Sequence, residues 1–308
     1  MSFRLVKNLE EANAITHDGV FHADEVLGTA LLSMVSEVRL LRARGIPAGD
    51  KCPDVIMYDM GGIYNPALGF YDHHQRDFQE QREDGTKYSS FGLLWESFGL
   101  SILLRNSCPP EHVQECLDDI DKRLVKWVDG RDNGQLPFSE EITVSSMISG
   151  FNPSWDNENP NEGACFVRAV EFAYKVLNNL IKSTIAEYKA IAVVEEKISN
   201  SDGKVLSLGN YVAHWQAIVL KSENPKAKAL LYCTYKGKED ETCIVAVPPS
   251  LEEMTKQRKP FPEEWAGLSG EKLEAAAGIK GLKFCHAGRF FMSVESEEVA
   301  QEVLKKIL

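Results

Sequence analysis

Three short apolar runs in the first quarter of the chain each stop at an acid or a histidine. Ala12-Asn13-Ala14-Ile15-Thr16 ends at His17, Asp54-Val55-Ile56-Met57-Tyr58 ends at Asp59, and Gly69-Phe70-Tyr71 ends at Asp72-His73-His74. Runs of this length bounded by turn residues read as buried strands. Residues 24–36 instead place Val26, Leu27, Ala30, Leu31 and Met34 at helical spacing, with Asp24 as a candidate N-cap. A further strand is expected over 37–42, and helical patterns return at 89–104 and 111–128. Strands alternating with helices specify an α/β lobe with a parallel sheet covered on both faces. In such sheets ligands gather beyond the C-terminal strand ends, where these acids and histidines sit.

At 308 residues the chain exceeds one compact core, so two lobes are expected. The stretch Asn152-Pro153-Ser154-Trp155-Asp156-Asn157-Glu158-Asn159-Pro160 breaks all periodicity and marks the boundary, giving domains 1–150 and 151–308. A long amphipathic helix follows over 163–197. Strands are expected at 204–208, 212–219, 229–235, 242–247, 282–285 and 289–294. Helices are expected at 271–276 and 296–307. The fold class is therefore α/β, with an N-terminal parallel-sheet lobe and a second α/β lobe.

Charge narrows the partners. Residues 1–200 hold 19 Lys and Arg against 31 Asp and Glu, which is the whole of the net charge of −12, while residues 201–308 hold 15 of each. An acidic surface argues against wrapping long duplex nucleic acid. It is compatible with carboxylates neutralised by metal ions. The seven cysteines are scattered, with no C-x-x-C pair, so they read as small hydrophobes of a reducing compartment. No run of eighteen apolar residues occurs and the N-terminus lacks a signal-peptide pattern, so no membrane partner and a cytoplasmic location are expected.

The chemistry-bearing residues fall into four clusters. His17-Asp18-Gly19-Val20-Phe21-His22-Ala23-Asp24-Glu25 sits in a strand-to-helix turn, where a loop can gather His17, His22 and Asp24 around one point. Asp59 precedes Gly61-Gly62 at a strand end and is placed to bridge two metals. In Asp72-His73-His74-Gln75-Arg76, neighbouring side chains of an extended segment point opposite ways. His73 is thus a candidate ligand, His74 faces substrate or a supporting partner, and Arg76 is a candidate phosphate clamp. In Trp127-Val128-Asp129-Gly130-Arg131-Asp132 either Asp129 or Asp132 is placed to close the cage. Each cluster alone also reads as an ordinary turn or cap; their conjunction decides. Two or three imidazoles with three or four carboxylates suit a pair of divalent cations about 3.5–4 Å apart, such as two Mn²⁺ or Mg²⁺ ions.

These clusters, in this order, resemble the DHH phosphoesterase superfamily, and more closely the melanocyte-proliferating-gene-one family. That second likeness rests on Thr16–Leu27, on the 71–76 and 132–134 stretches, and on Asn152-Pro153-Ser154-Trp155. In the second lobe it rests on Arg258–Leu268 and Phe284-Cys285-His286-Ala287-Gly288. The resemblance implies that His17, His22, Asp24, Asp59, His73 and Asp129 ligate metal, with Asp72 and His74 supporting them. It also implies that the Gly278–Arg289 region binds substrate, with His286, Gly288 and Arg289, and with Arg258 nearby. The chain departs from the family's pattern at Gly288-Arg289, where a small residue and then glycine are usual.

Together these readings predict a metal-dependent phosphodiesterase, a 3′–5′ exoribonuclease acting on short RNA or single-stranded ends. A phosphatase or pyrophosphatase acting on a small phosphorylated metabolite is the alternative, and a catalytically idle interaction protein the second. Homo-oligomerisation is left open. Trp127, Trp155 and Trp265 are expected to pack rather than to stack bases. Lys87, Ser89 and Ser90 precede a helix, where Ser89 would cap or the group would hold a phosphate.

Overall fold

A computed structural model describes residues 2–45, 55–137, 140–238 and 241–308. Cys52 and Asp54, the expected start of one strand, lie outside them. The chain packs as two compact units, Met1–Ile185 and Ala186–Leu308. Both combine strands and helices, so the molecule is a two-domain α/β protein.

The first unit is built on β1 (Phe3–Val6), β2 (Ala14–His17), α1 (Ala23–Val35), β3 (Val38–Ala43), β4 (Ile56–Tyr58), β5 (Tyr64–Asn65) and β6 (Phe70–Tyr71). The sheet order is β1-β3-β2-β4-β6-β5, parallel except for the β5–β6 pair. The chain leaves β2 for β3 on one side and returns to place β4 on the other, so β2 and β4 flank a topological switch point. A crevice opens there beyond the strand ends, and His17 and Asp59 are the residues delivered to it. β1 was not anticipated. It is an edge strand with only Val6 buried, so its apolar alternation is faint.

α1 packs against α2 (Ser90–Arg105). Gly28 makes this close approach workable: a Cβ there would lie 2.9 Å from Leu94 Cδ1. The helix expected over 111–128 is α3 (Val113–Ile120), a π-helical turn over 121–125, and α4 (Lys126–Asp132). The wide turn re-aims the last segment, a device frequent at functional sites. The short α5 (Val144–Ser149) follows, and then α6 (Glu162–Ser199), the long helix expected from the sequence.

The second unit contains β7 (Val205–Asn210), α7 (Trp215–Lys221), α8 (Pro225–Ala229), β8 (Tyr232–Lys236), β9 (Thr242–Ala246), α9 (Gly270–Ala277), β10 (Leu282–Cys285), β11 (Phe291–Val294) and α10 (Glu297–Ile307). The sheet order is β10-β11-β9-β8-β7, antiparallel except for β7–β8. Alternation along the strands feeds two cores. Tyr232, Ile244 and Ala246 face Phe261, Trp265 and Val303, whereas Cys233 and Val245 face Ile198, Trp215 and Val219. The strand expected at 212–219 is instead α7. Its buried Trp215, Ile218 and Val219 follow i, i+3, i+4 spacing, which a short apolar run does not separate from a strand pattern.

All six described cysteines are free and buried. Among the described residues no helix is long and apolar enough to cross a membrane.

Candidate metal centre

His17 terminates β2, and its ring is fixed from two sides. Nε2 stands 3.1 Å from Glu25 Oε1 and 3.2 Å from Asp59 Oδ2, and Nδ1 lies 2.9 Å from the Asp18 carbonyl. The loop from His17 to His22 is pinned where it would otherwise swing. Arg42 donates to the carbonyls of His17 and Gly19, at 3.2 and 2.9 Å, and its guanidinium lies over the Phe166 ring. Asn152 clamps the Phe21 backbone in both directions, at 3.0 and 2.8 Å. His22 then begins α1, and its N–H donates to both Glu25 carboxylate oxygens at 2.9 Å. Asp24 and Glu25 occupy the first turn, where unpaired N–H groups and the helix dipole favour negative charge.

Asp59 follows β4 in the left-handed region, at φ 55°, an uncommon conformation for a residue with a side chain. Such strain concentrates at functional sites. Here it aims the two carboxylate oxygens in different directions. Oδ2 meets His17, while Oδ1 lies 3.4 Å from His73 Nε2 and 3.6 Å from His74 Nδ1. His73 Nε2 is also 3.3 Å from Asp132 Oδ2 and 3.9 Å from Asp24 Oδ2.

Four overlapping groups gather donor atoms within 4.8 Å of one another: His17, His22 and Glu25; Asp59, His73 and His74; Asp24, His73 and Asp132; and Asp24, Glu25 and Asp59. Asp24 is fully buried, yet among the described residues neither of its carboxylate oxygens, nor His73 Nε2, has a hydrogen-bond partner. Orphaned buried acceptors of this kind are costly unless something binds them. A donor set of imidazole and carboxylate fits a divalent cation.

The electrostatics carry the same message. Burial, and then the neighbouring Asp59, Asp132 and Glu25, push the Asp24 carboxyl well above its ordinary range. Burial also raises Glu25, against the pull of His17, and raises Asp132, against the pull of His73. His17 is pushed up to about 10 by its bonds to Asp59 and Glu25, which outweigh its burial. Asp59 is held below the usual carboxylate range because the His17 and His73 rings override its burial. Without a cation, this many buried acids hold charge only by sharing protons.

The remaining expected residues separate into roles. Asp129 is fully buried and belongs to none of the donor groups found among the described residues. It meets Arg82 at 2.8 Å and accepts from Ser89 Oγ at 2.6 Å and from the Gly92 N–H at 3.0 Å. Asp132 stands in the cluster instead. Asp72 likewise lies outside the donor groups. Its Oδ1 takes the His73 N–H and His74 Nδ1, both at 2.8 Å, and its Oδ2 takes the Gly62 N–H at 2.5 Å, so it shapes the turn and holds the His74 ring. His73 and His74 do not diverge as extended neighbours would, because their ring centroids are 4.2 Å apart and both reach Asp59. Arg76 is exposed and is not among the residues lining the cavity over the cage.

That cavity, of about 640 Å³, is lined by His17, His22, Asp59, His74 and Asp132, with Arg131 and hydroxyl residues of α5.

In the second unit, His286, Gly288 and Arg289 form the turn between β10 and β11. The Gly288 N–H donates to His286 Nδ1 at 2.9 Å, and Arg289 sits in the left-handed region at φ 55°. Arg258 has one guanidinium nitrogen on the carbonyls of Ala227, Lys228 and Leu230, at 2.7 to 3.1 Å, which makes it a clip for the α8 region.

Two important residues have no role in the sequence reading, Glu25, which stands at the end of the first cluster, and Arg82. Glu25 has a legible signal, an acid three residues after the helix start, the spacing of a capping box. Arg82 has none, since only the fold brings it to Asp129 and Asp121. Two expectations are corrected. Ser89 stands at the α2 N-cap, but its hydroxyl goes to Asp129 rather than to the helix. Of the three tryptophans only Trp265 is packed, at 1% exposure; Trp127 is 58% and Trp155 is 97% exposed.

Comparison with known proteins places the chain. The family model described as an uncharacterised protein family, UPF0160, and labelled as MYG1 exonuclease, matches residues 13–308. The chain is 31% identical over 321 residues to the MYG1 exonuclease of Rattus norvegicus, covering 95% of this chain and 84% of the rat protein. It is 32% identical over 301 residues to the MYG1 protein of Chlamydia pneumoniae, covering 95% of both. It is 28% identical over 324 residues to the MYG1 protein YER156C of Saccharomyces cerevisiae, covering 95% and 94%. No solved structure matches the chain significantly. With a match over nearly its whole length, the chain belongs to the MYG1 family, UPF0160.

Proposed function

We propose that this protein is a two-metal phosphoesterase of the DHH type that removes nucleotides from the 3′ end of short RNA. The observation that carries the reading is the cage itself. Asp24 and His73 hold buried atoms without a hydrogen-bond partner among the described residues, beside Asp59, Asp132, His17 and His22, and the last four of these line a cavity large enough for a small ligand. The relatives named as exonucleases point to the same class of reaction.

His17, His22, Asp24, Asp59, His73 and Asp132 would hold two divalent cations. The imidazole content favours manganese over magnesium. Once bound, the ions would supply Lewis acidity toward water and the phosphoryl oxygens. The protein's own groups do the rest. Glu25 fixes the His17 ring and the start of α1, as a supporting partner fixes a ligand. Asp72 holds His74 by Nδ1, so its other nitrogen is left for the cavity. There His74 is placed to give a proton to the leaving 3′-oxygen as water adds to phosphorus and the P–O3′ bond breaks. The acidic surface and the bounded cavity favour substrates of a few nucleotides.

The test is incubation of the manganese-loaded protein with short 5′-labelled RNA, a nucleoside 3′,5′-bisphosphate and pyrophosphate. The expected result is stepwise shortening of the RNA with release of 5′-mononucleotides, lost in Asp59→Ala. A metal-loaded wild type that cleaves none of the three would overturn the reading.

A further inference from the structure

Arg131 lines the cavity from α4, one residue before Asp132. It is the one guanidinium or ammonium among the described residues lining that cavity. It is half-buried, and among the described residues it forms no ion pair or hydrogen bond through its side chain, although acids of the cage line the same space. Three other guanidiniums near the first-unit site are spent, Arg42 on two carbonyls, Arg44 on Asp18, and Arg82 on Asp121 and Asp129, while Arg76 is exposed and does not line the cavity. Five N–H donors at Arg131 are therefore in reserve.

The helix geometry fixes what those donors can meet. Successive residues on α4 are turned by about 100° and their Cα atoms are about 3.8 Å apart. Arg131 therefore addresses a different point of the cavity from Asp132, next to the cage rather than in it. The same cavity is lined from α5 by Ser145 and Ser149, whose hydroxyls form no hydrogen bond with the described residues. By contrast, Thr143 and Ser146 bond each other, Thr143 Oγ1 accepting from the Ser146 N–H at 3.1 Å and Ser146 Oγ donating to the Thr143 carbonyl at 2.9 Å.

A planar, permanently charged fork recognises phosphate bidentately. Hydroxyls that both donate and accept suit a sugar. In a nucleotide, the anion one sugar away from a reacting phosphate is the next phosphate. Resting on the phosphoesterase reading above, we propose that Arg131, with Ser145 and Ser149, forms a subsite for a second phosphate. The protein would then select phosphoesters that carry a neighbouring phosphate over isolated monoesters.

Calorimetry on the manganese-loaded protein tests this with two slowly cleaved ligands, adenosine 3′-monophosphorothioate with and without a 5′-phosphate. The readout is the ratio of the two affinities in wild type, Arg131→Gln and Arg131→Lys. The wild type should favour the bisphosphate about 10- to 100-fold, the range of one charge-assisted contact. Arg131→Gln should bring the ratio to within about threefold of unity, and Arg131→Lys should restore part of it. A wild-type ratio near one, or a ratio that survives Arg131→Gln, overturns the subsite. The hydrolysis assay is separate. Active protein with an Arg131-independent ratio removes the subsite and leaves the phosphoesterase; inert protein with an Arg131-dependent ratio does the reverse.

Discussion

Asp129 and Asp132 stand three residues apart on one helix and end on different partners. Asp132 Oδ2 lies 3.3 Å from His73 Nε2 in the cage, whereas Asp129 meets Arg82 at 2.8 Å beneath α2. Their amide variants should therefore fail differently. Asp132→Asn should lower turnover by two orders of magnitude or more while melting close to wild type. Asp129→Asn should lower stability by about 1.5–3 kcal/mol, because it removes one of the two carboxylates that hold Arg82, Asp121 being the other. Denaturant titration beside an activity assay separates the two. Equal stability loss in both would show that the helix places them alike.

Glu25 is expected to act through His17. Glu25→Gln keeps the shape of the side chain but removes the charge that His17 faces at 3.1 Å. Metal affinity should fall about 10- to 100-fold, the range for partners that orient a ligand. Metal competition with a fluorescent chelator reads this directly, and affinity within twofold of wild type would remove Glu25 from the centre.

Stability should depend on pH in the chelated protein. His17 is a base raised to about 10 in the fold, from an ordinary value near 6.5. The native state then holds a proton that the unfolded state releases between those values. The stabilisation is complete below about pH 6.5 and is lost as pH rises through about 10. Metal uptake near neutral pH must expel that proton. The enthalpy of manganese binding should accordingly vary with the ionisation enthalpy of the buffer. A chelated protein whose melting temperature is flat from pH 6.5 to 10, with a buffer-independent enthalpy, contradicts this.

Gly92 is a packing requirement of α2. A Cβ at that position would lie 2.0 Å from Asp129 Oδ2. Gly92→Ala should destabilise by about 1–3 kcal/mol, as overpacking does, despite alanine's better helix propensity. A rise in stability on urea unfolding would show that Asp129 moves freely aside.

Much of the first unit is legible because its strands and the side chains of its donor cluster share one signal. A short apolar run that stops at an acid or histidine announces both a parallel strand and what its end carries, which is how His17, Asp59 and His73 could be named. Long segments of helical spacing, such as α1, α2 and α6, were equally plain. What stayed hidden were segments whose burial is slight, as in β1, or whose apolar residues fit two periods, as in α7.

Sequence alone determined which residue types are available at strand ends, and so the chemistry that the chain can support. It did not determine which of two nearby aspartates joins the cage, that Glu25 is buried against His17, or that Trp155 is bare. Those outcomes depend on distance across the fold. A carboxylate becomes a ligand, a counter-ion or a cap according to the group that packing brings within about 3 Å, and residues as far apart as Arg82 and Asp129 meet only once the helices have docked.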